Sequence, residues 1–497
     1  MKKYILIILC CLTSFPLWSY NVNMIVEHYS VDQGLPNNTV NCTLKDRDGF
    51  IWFGTWYGLC CFDGVKFKTF NKQEHDSDVP PRKIQRIVED KNGYIWVKTI
   101  DRKLYVFNKV TECFHAVYDD MKNYSENIQV IKLQNTAEGD VLLLTKDKNL
   151  LLAGVDEKGQ VTIKILFDSR NEINKHDYTL KHHVLCETEE YISWIGTDYK
   201  VAAVHKGSEL ASRPADFITS KINSGDKDSF TSFFEDGRKV WVGDRAGIFY
   251  SIDVRTGLVN RYVLSEIKGA ISNLLVTPAG YVYLSVAGQG TYEYDLAERR
   301  LQKINTEMND AMVTHAFIDQ YDKIWFHENE KALIYYDPLN HTAKRFPFTM
   351  FGKITTLYSE DAGERGLFFL SPAGEAWLFD REHAEMVYIN KLKQLSNDRA
   401  NQQFYHLMLD NDGVLWLSSA DEGVYCMNFP KKQFNLLSLS PQSVGQENYA
   451  TGVRALFQSK SGDIWVGTRW QSVYRMDRNG VTKHVFSTGD EHIGNVY

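Results

Sequence analysis

One short phrase recurs along the chain and constrains its fold more than any other feature. "DGFIWFGTWYGLCCFD" at Asp48 returns as "NGYIWVKTIDRKLYVFN" at Asn92, "GRKVWVGDRAGIFYSID" at Gly237 and "YDKIWFHENEKALIYYD" at Tyr321. It returns again as "DGVLWLSSADEGVYCMN" at Asp412 and "SGDIWVGTRWQSVYRMD" at Ser461. Its central position steps through Trp52, Trp96, Leu143, Trp194, Trp241, Tyr283, Trp325, Phe368, Trp416 and Trp465, at intervals of 42 to 51 residues. Self-similarity at this period marks an array, so each stretch is read first as scaffold.

Every unit has one grammar. An apolar strand such as "KIQRIVED" leads into an Asp/Asn-Gly turn, then a strand ending near Gly-Thr, a short loop, a third strand, and an alternating fourth strand such as "KFKTF". Helical periodicity is almost absent, and the aromatic content of 13% suits pleated sheets. Four antiparallel strands per unit make a β-propeller blade. The expected fold is all-β, with about ten blade repeats and an incomplete second propeller. The Trp of the second strand is expected between blades, and the Gly after it where backbones approach closely. "IVEHYS", ahead of the first unit, alternates like an outer strand and is expected to complete the last blade of a ring, removing an open edge.

The expected divisions are a signal peptide over 1–19, blades over 20–435, and the start of a truncated second propeller over 436–497. Nine units precede the long polar connection "FPKKQFNLLSLSPQSVGQENYATGVRA". One resolution puts units three to nine in a first ring and the first two units in the second. "GDEHIGNVY" reads as the cut-off beginning of an eleventh unit.

The opening "MKKYILIILCCLTSFPLWSY" pairs two lysines with a short apolar run, followed by Pro16 and Ser19. That is the pattern of an export signal, too short for a stable membrane span. No small residue precedes Cys10, so a lipoprotein anchor is not expected. The formal net charge is −7, with acids and bases interspersed and no basic stripe, which argues against direct nucleic-acid contact. Cys42, Cys60, Cys61, Cys113, Cys186 and Cys426 show neither a disulfide framework nor metal spacing and are expected mostly as buried thiols.

"HYSVDQGLPNNTVNCTLKDRDGFIWFGTWYGLCCFDGVKF" resembles the opening of the two-component regulator propeller sensors. The resemblance covers nearly the whole chain after the signal, strongest in units one, two and ten. It implies the periplasmic sensor region of a hybrid two-component regulator. Complete members carry two seven-bladed propellers, a small β-sandwich, one membrane helix, a histidine kinase, a receiver and a DNA-binding region. The chain would then bind an oligosaccharide and control a kinase that it does not itself contain. A homodimer is implied for the full-length protein, with membrane attachment only through a missing C-terminal helix.

No G-x-S-x-G, H-E-x-x-H or P-loop occurs, and no catalytic residue, metal or cofactor is expected. Glu328 with Glu330, and Asp421 with Glu422, are read as solvated loop charges. His176, His182 and His183 are read as solvated histidines. The loops from second to third strands open on one face and hold the binding candidates: Trp56, Tyr57, Arg102, Asp198, Tyr199, Arg245, Gln289, Asn329, Arg469 and Trp470. Aromatic faces stack on sugar rings, while Arg and Asn reach hydroxyl, carboxylate or sulfate groups. The other readings are a secreted propeller glycoside hydrolase or lyase and a non-catalytic binding propeller. A cluster of carboxylates, or of Tyr, His and Arg, converging on the funnel would favour the enzyme. A funnel plugged by apolar side chains would favour the binding propeller.

Overall fold

The computed structural model describes residues 25–70, 81–122, 124, 128–169, 180–196, 201–207, 215–216, 230–304, 313–328, 331–351, 358–361, 366–371, 375–391, 404–428, 453–468, 472–477 and 482–487. The chain divides into two compact units, Met1–Phe429 and Pro430–Tyr497.

Among the described residues the first unit holds nine four-stranded antiparallel sheets. Eight are built from four consecutive strands. Blade 1 runs Val40–Lys45, Ile51–Thr55, Gly58–Phe62 and Phe67–Phe70, and blade 2 runs Ile84–Glu89, Ile95–Thr99, Leu104–Asn108 and Cys113–Ala116. Blade 9 takes Phe404–Leu409, Leu415–Ser419 and Val424–Asn428 from the end of the unit and Ile25–Tyr29 from its beginning, registered from Ile25 opposite Asn428 to Tyr29 opposite Val424. The alternating N-terminal segment therefore closes the last blade, as its pattern predicts.

Burial grades across each blade. Second strands such as IWFGT, IWVKT, VLLLT and LWLSS are buried at all five positions, because both sheet faces meet neighbouring blades. Outer strands such as FKTF and LVNRYV are mostly exposed or half-buried. Apolar clusters join each blade to the next. Trp52, Leu59 and Phe70 pack on Ile84, Val97 and Phe107, and Trp96 packs with Leu133, Leu143 and Leu151. Further clusters continue through blades 4 to 9. Phe53, Cys60 and Phe62 of blade 1 then meet Trp416 and Val424 of blade 9. The ring therefore has nine blades and includes units one and two, which corrects the assignment of those units to a second ring. The reason is tertiary: blade 1 buries one face on blade 9 and the other on blade 2.

The glycine after the Trp does what its position predicts. A Cβ on Gly54 would stand 2.4 Å from Cys42 Sγ and 2.6 Å from Ile84 Cγ2 of the next blade. Gly243 repeats this against Ser232 Oγ and Ile271 Cγ2 at 2.4 and 2.7 Å.

The turn before Trp96 is held by one carboxylate. Asp90 Oδ1 accepts from Asn92 N and Tyr94 N, both at 3.0 Å, and Oδ2 accepts from Trp96 Nε1 at 2.9 Å. Asp46, Asp319 and Asp410 do the same for Trp52, Trp325 and Trp416, as does Asp236, one residue closer, for Trp241. A tight turn and a buried indole N–H are satisfied by a single side chain.

In the second unit, Val453–Gln458, Ile464–Thr468, Ser472–Met476 and Thr482–Ser487 form one further sheet around Val466, Tyr474 and Met476.

Candidate functional site

Three successive connections on the second-to-third-strand face of blades 1 and 2 are tied together by backbone hydrogen bonds. In the first turn Thr55 Oγ1 donates to Gly58 O at 2.8 Å and accepts from Tyr57 N at 3.1 Å. This fixes the turn and leaves its two central aromatics outward, Trp56 at 43% and Tyr57 at 62% exposure. Lys83 N donates to Trp56 O, and Ile100 N donates to Lys83 O, both at 2.9 Å. The Lys83 ammonium sits 5.3 Å from the centre of the Trp56 ring. The blade 2 turn is closed by Arg102 N donating to Thr99 O at 2.9 Å, and Arg102 O accepts from Val130 N of blade 3. Arg102 sits at φ 68°, in the left-handed region, and is exposed. A hydrogen-bonded edge thus carries Trp56, Tyr57, Lys83 and Arg102 in one run.

The other candidates fall elsewhere. Arg245 is exposed in the blade 5 turn. Gln289 is committed to the scaffold: its Oε1 accepts from Lys268 N at 2.7 Å, and its Nε2 donates to Glu266 O at 3.1 Å, bracing the connection between blades 5 and 6. Asp198, Tyr199, Asn329, Arg469 and Trp470 lie outside the described residues.

Among the acidic candidates, Glu328 departs from its reading as a solvated charge. Glu328 is the last residue of the strand Ile324–Glu328 and is 4% exposed. It accepts from Arg345 Nε at 3.0 Å and Nη2 at 2.9 Å. A carboxylate this deep needs a paired guanidinium, which the sequence separation of 17 residues conceals. Glu422 accepts from the Tyr425 hydroxyl, while Asp421 is exposed. Glu330, His176 and the side chains of His182 and His183 lie outside the described residues.

Among the described residues the one cluster with metal-ligand spacing is Asp46, Asp48 and Glu89. It already holds a cation, since Lys109 Nζ lies 3.0, 2.7 and 2.8 Å from these three carboxylates. Burial opposes the charge on Lys109, and the hydrogen bonds it donates to Asp48, Glu89 and Asp46 outweigh it, so the ammonium is held more firmly than usual. Cys42, Cys60, Cys61, Cys113 and Cys426 are free thiols, with Cys42, Cys60 and Cys426 buried.

Glu235, at the end of an inner strand in blade 5, has Oε2 buried without a partner. Burial first, then the charges of Glu187 and Asp236, pushes its carboxyl up to about 7. The folded protein keeps this proton between the ordinary carboxyl range and about 7, while the unfolded chain loses it. Stability therefore falls as pH rises through that window. Glu235→Gln is expected to stabilise the protein by roughly 2 kcal/mol at pH 8 and by far less at pH 4. Chemical denaturation at the two pH values checks this, and equal shifts at both would refute it.

Residues 34–57, which end on Trp56 and Tyr57, match the family model described as "Two component regulator propeller". The chain is similar to the extracellular domain of a protein assigned as a hybrid two-component system, BT3049 of B. thetaiotaomicron, at 15% identity, with 95% of this chain and 68% of that one covered and a TM-score of 0.33. A second such domain from that organism, BT4673, gives 16% identity, 95% and 68% coverage and a TM-score of 0.31. The Dos1 propeller gives 12% identity, 81% and 93% coverage and a TM-score of 0.43. No curated protein matches the chain. Among its described residues no helix is long and apolar enough to cross a membrane.

Proposed function

We propose that this chain is the sensing region of an exported two-component regulator, that it binds an oligosaccharide, and that a histidine kinase outside the chain reads the binding. The observation that carries the proposal is the exposed pair Trp56–Tyr57, fixed by the Thr55 hydroxyl, with Lys83 beside Trp56 and Arg102 further along the same hydrogen-bonded edge. The match over residues 34–57 supports it, as does the export-type N-terminus. An aromatic plate with cations at its rim suits a sugar: the ring stacks its apolar face, and the cations take the oxygens. A closed ring of blades holds such a plate rigidly, which limits the ordering cost of binding. The signal would arise because the ligand favours one of two arrangements of a homodimer, since only differential affinity moves such a balance.

The test is calorimetric titration of the whole chain with a panel of neutral and acidic di- and trisaccharides. At least one should bind, and the double variant Trp56→Ala/Tyr57→Ala should weaken it by about 10-fold or more, with the melting temperature little changed because both rings are exposed. Unchanged affinity in the variant, or no binding across the panel, would overturn the proposal.

A further inference from the structure

Blade 2 differs from blades 3, 5 and 7 in how its fourth strand leaves for the next blade. In blade 5 that connection packs down on the second-to-third-strand turn. A Cβ on Gly247 of the turn would stand 2.8 Å from Ile267 Cγ2 of the connection, and Ile267 is buried. In blade 3 Ser169 N donates to Asn149 Oδ1 at 2.8 Å, which ties the two segments together. In blade 7 Phe348 N donates to Lys331 O at 2.7 Å, and Phe348 and Phe351 are buried. The blade 2 connection is pinned at its start, where Val117 N donates to Leu104 O at 3.1 Å, and then turns into the short helix Tyr118–Met121. Between this helix and the turn Asp101–Lys103 lies a cleft of about 310 Å³.

The cleft has apolar walls and a charged margin. Leu104, Val117 and Met121 line it and are otherwise buried, and the Tyr105 and Tyr118 side chains join them. Tyr118 is 56% exposed, with the Lys122 ammonium 4.9 Å from its ring centre. Exposed Asp101, Arg102 and Lys103 supply the margin. Asp101 lies 3.4 Å from Lys103 Nζ, so the two signs of charge are mixed there. Two tyrosine rings and a thioether are favourable partners for another aromatic ring. A bare sugar would instead bring hydroxyls that these walls leave unpaired. An apolar cavity of about 150 Å³ holds benzene, so this cleft has room for a substituted ring. Arg102 belongs both to the cleft and to the hydrogen-bonded edge that starts at Trp56, so the cleft opens at the end of that edge.

We propose that this cleft binds an aromatic group carried by the saccharide, as in an aryl glycoside or a phenolic ester of a sugar. The proposal rests on the oligosaccharide reading and narrows it to ligands with an aromatic substituent. The ring meets Tyr105, Tyr118 and Met121, while the sugar hydroxyls stay at the charged margin with Arg102 and Lys103.

The experiment titrates the whole chain with paired 4-nitrophenyl and methyl β-glycosides of cellobiose, lactose and xylobiose, and with 4-nitrophenol alone. In at least one pair the nitrophenyl glycoside should bind 10-fold or more tightly than its methyl partner, the effect of burying one ring. Tyr118→Ala should erase that preference without changing the affinity of the methyl glycoside, and Tyr118→Phe should keep it. Tyr118 is largely exposed, so both variants should fold, and thermal melting checks this. Equal binding within every pair would overturn the aromatic cleft and leave the oligosaccharide reading standing. A preference that survives in Tyr118→Ala would also overturn the cleft, because the ring would then sit elsewhere. Tyr118-dependent binding of 4-nitrophenol as tight as that of its glycosides would support the cleft and overturn the oligosaccharide reading. Binding of no probe would overturn both.

Discussion

A chain beginning at Ser30 is expected to lose cooperative folding of the whole ring, with the midpoint of thermal unfolding lowered by roughly 10 °C or more. The strand Ile25–Tyr29 is the outer strand of blade 9, registered against Val424–Asn428 over five pairs. His28 stacks on Tyr425 at 4.5 Å, and its Nε2 lies 2.6 Å from Glu422 O. The Tyr29 ring meets Phe62 of blade 1 at 5.0 Å and Trp416 of blade 9 at 6.5 Å, so the strand also seals the joint where the ring closes. Its removal bares the backbone edge of Val424–Asn428, an edge that pairs with other chains and aggregates. Scanning calorimetry and light scattering read both effects, and a peptide of residues 25–34 added in trans should restore part of the loss. An unshifted midpoint would show that the blade 9–blade 1 apolar joint closes the ring without the strand.

The second large effect is expected from the turn carboxylates. Asp90→Ala removes the acceptor of two backbone N–H groups and leaves the Trp96 indole N–H unpaired. Asp90 is 1% and Trp96 0% exposed, so water cannot replace the lost partner. Hydrogen bonds to a charged group contribute about 1.5–3 kcal/mol each and are not additive, so a loss of roughly 4 kcal/mol is expected. Asp90→Asn should cost less, because its amide oxygen can keep the backbone pair while its NH₂ faces the indole N–H. Urea denaturation of the three proteins checks the order wild type, Asn, Ala. A loss below about 1 kcal/mol for Ala would mean that the turn holds its shape without the carboxylate.

How far the sequence reaches is clearest residue by residue. The Asp, Trp and Gly of units such as the first (Asp46, Trp52, Gly54) and the fifth (Asp236, Trp241, Gly243) are spaced within one hairpin, so their jobs are local and can be read from the pattern. Trp56 and Tyr57 could be placed on a loop face for the same reason. Gln289 could not be sorted from Arg245, since what separates them is that Gln289 reaches back to the Glu266–Lys268 connection while Arg245 projects outward. Glu328 and Lys109 look like ordinary surface charges until strands far along the chain bring Arg345 to the one and three carboxylates to the other. Lys83 carries no pattern of its own in the sequence, and only the fold brings it beside Trp56.

The sequence by itself determined the blade: four short antiparallel strands, the buried second strand with its Trp, the carboxylate-held turn, and an N-terminal strand shaped to close an edge. These follow from side-chain alternation and turn chemistry, which act over a few residues. Only the tertiary structure decided that nine blades form the first ring and which polar groups are spent on the scaffold. These depend on which distant strands share an interface, and identical blade grammar leaves that choice open until the apolar faces of particular blades, such as Phe53 and Phe62 against Trp416, are matched to one another.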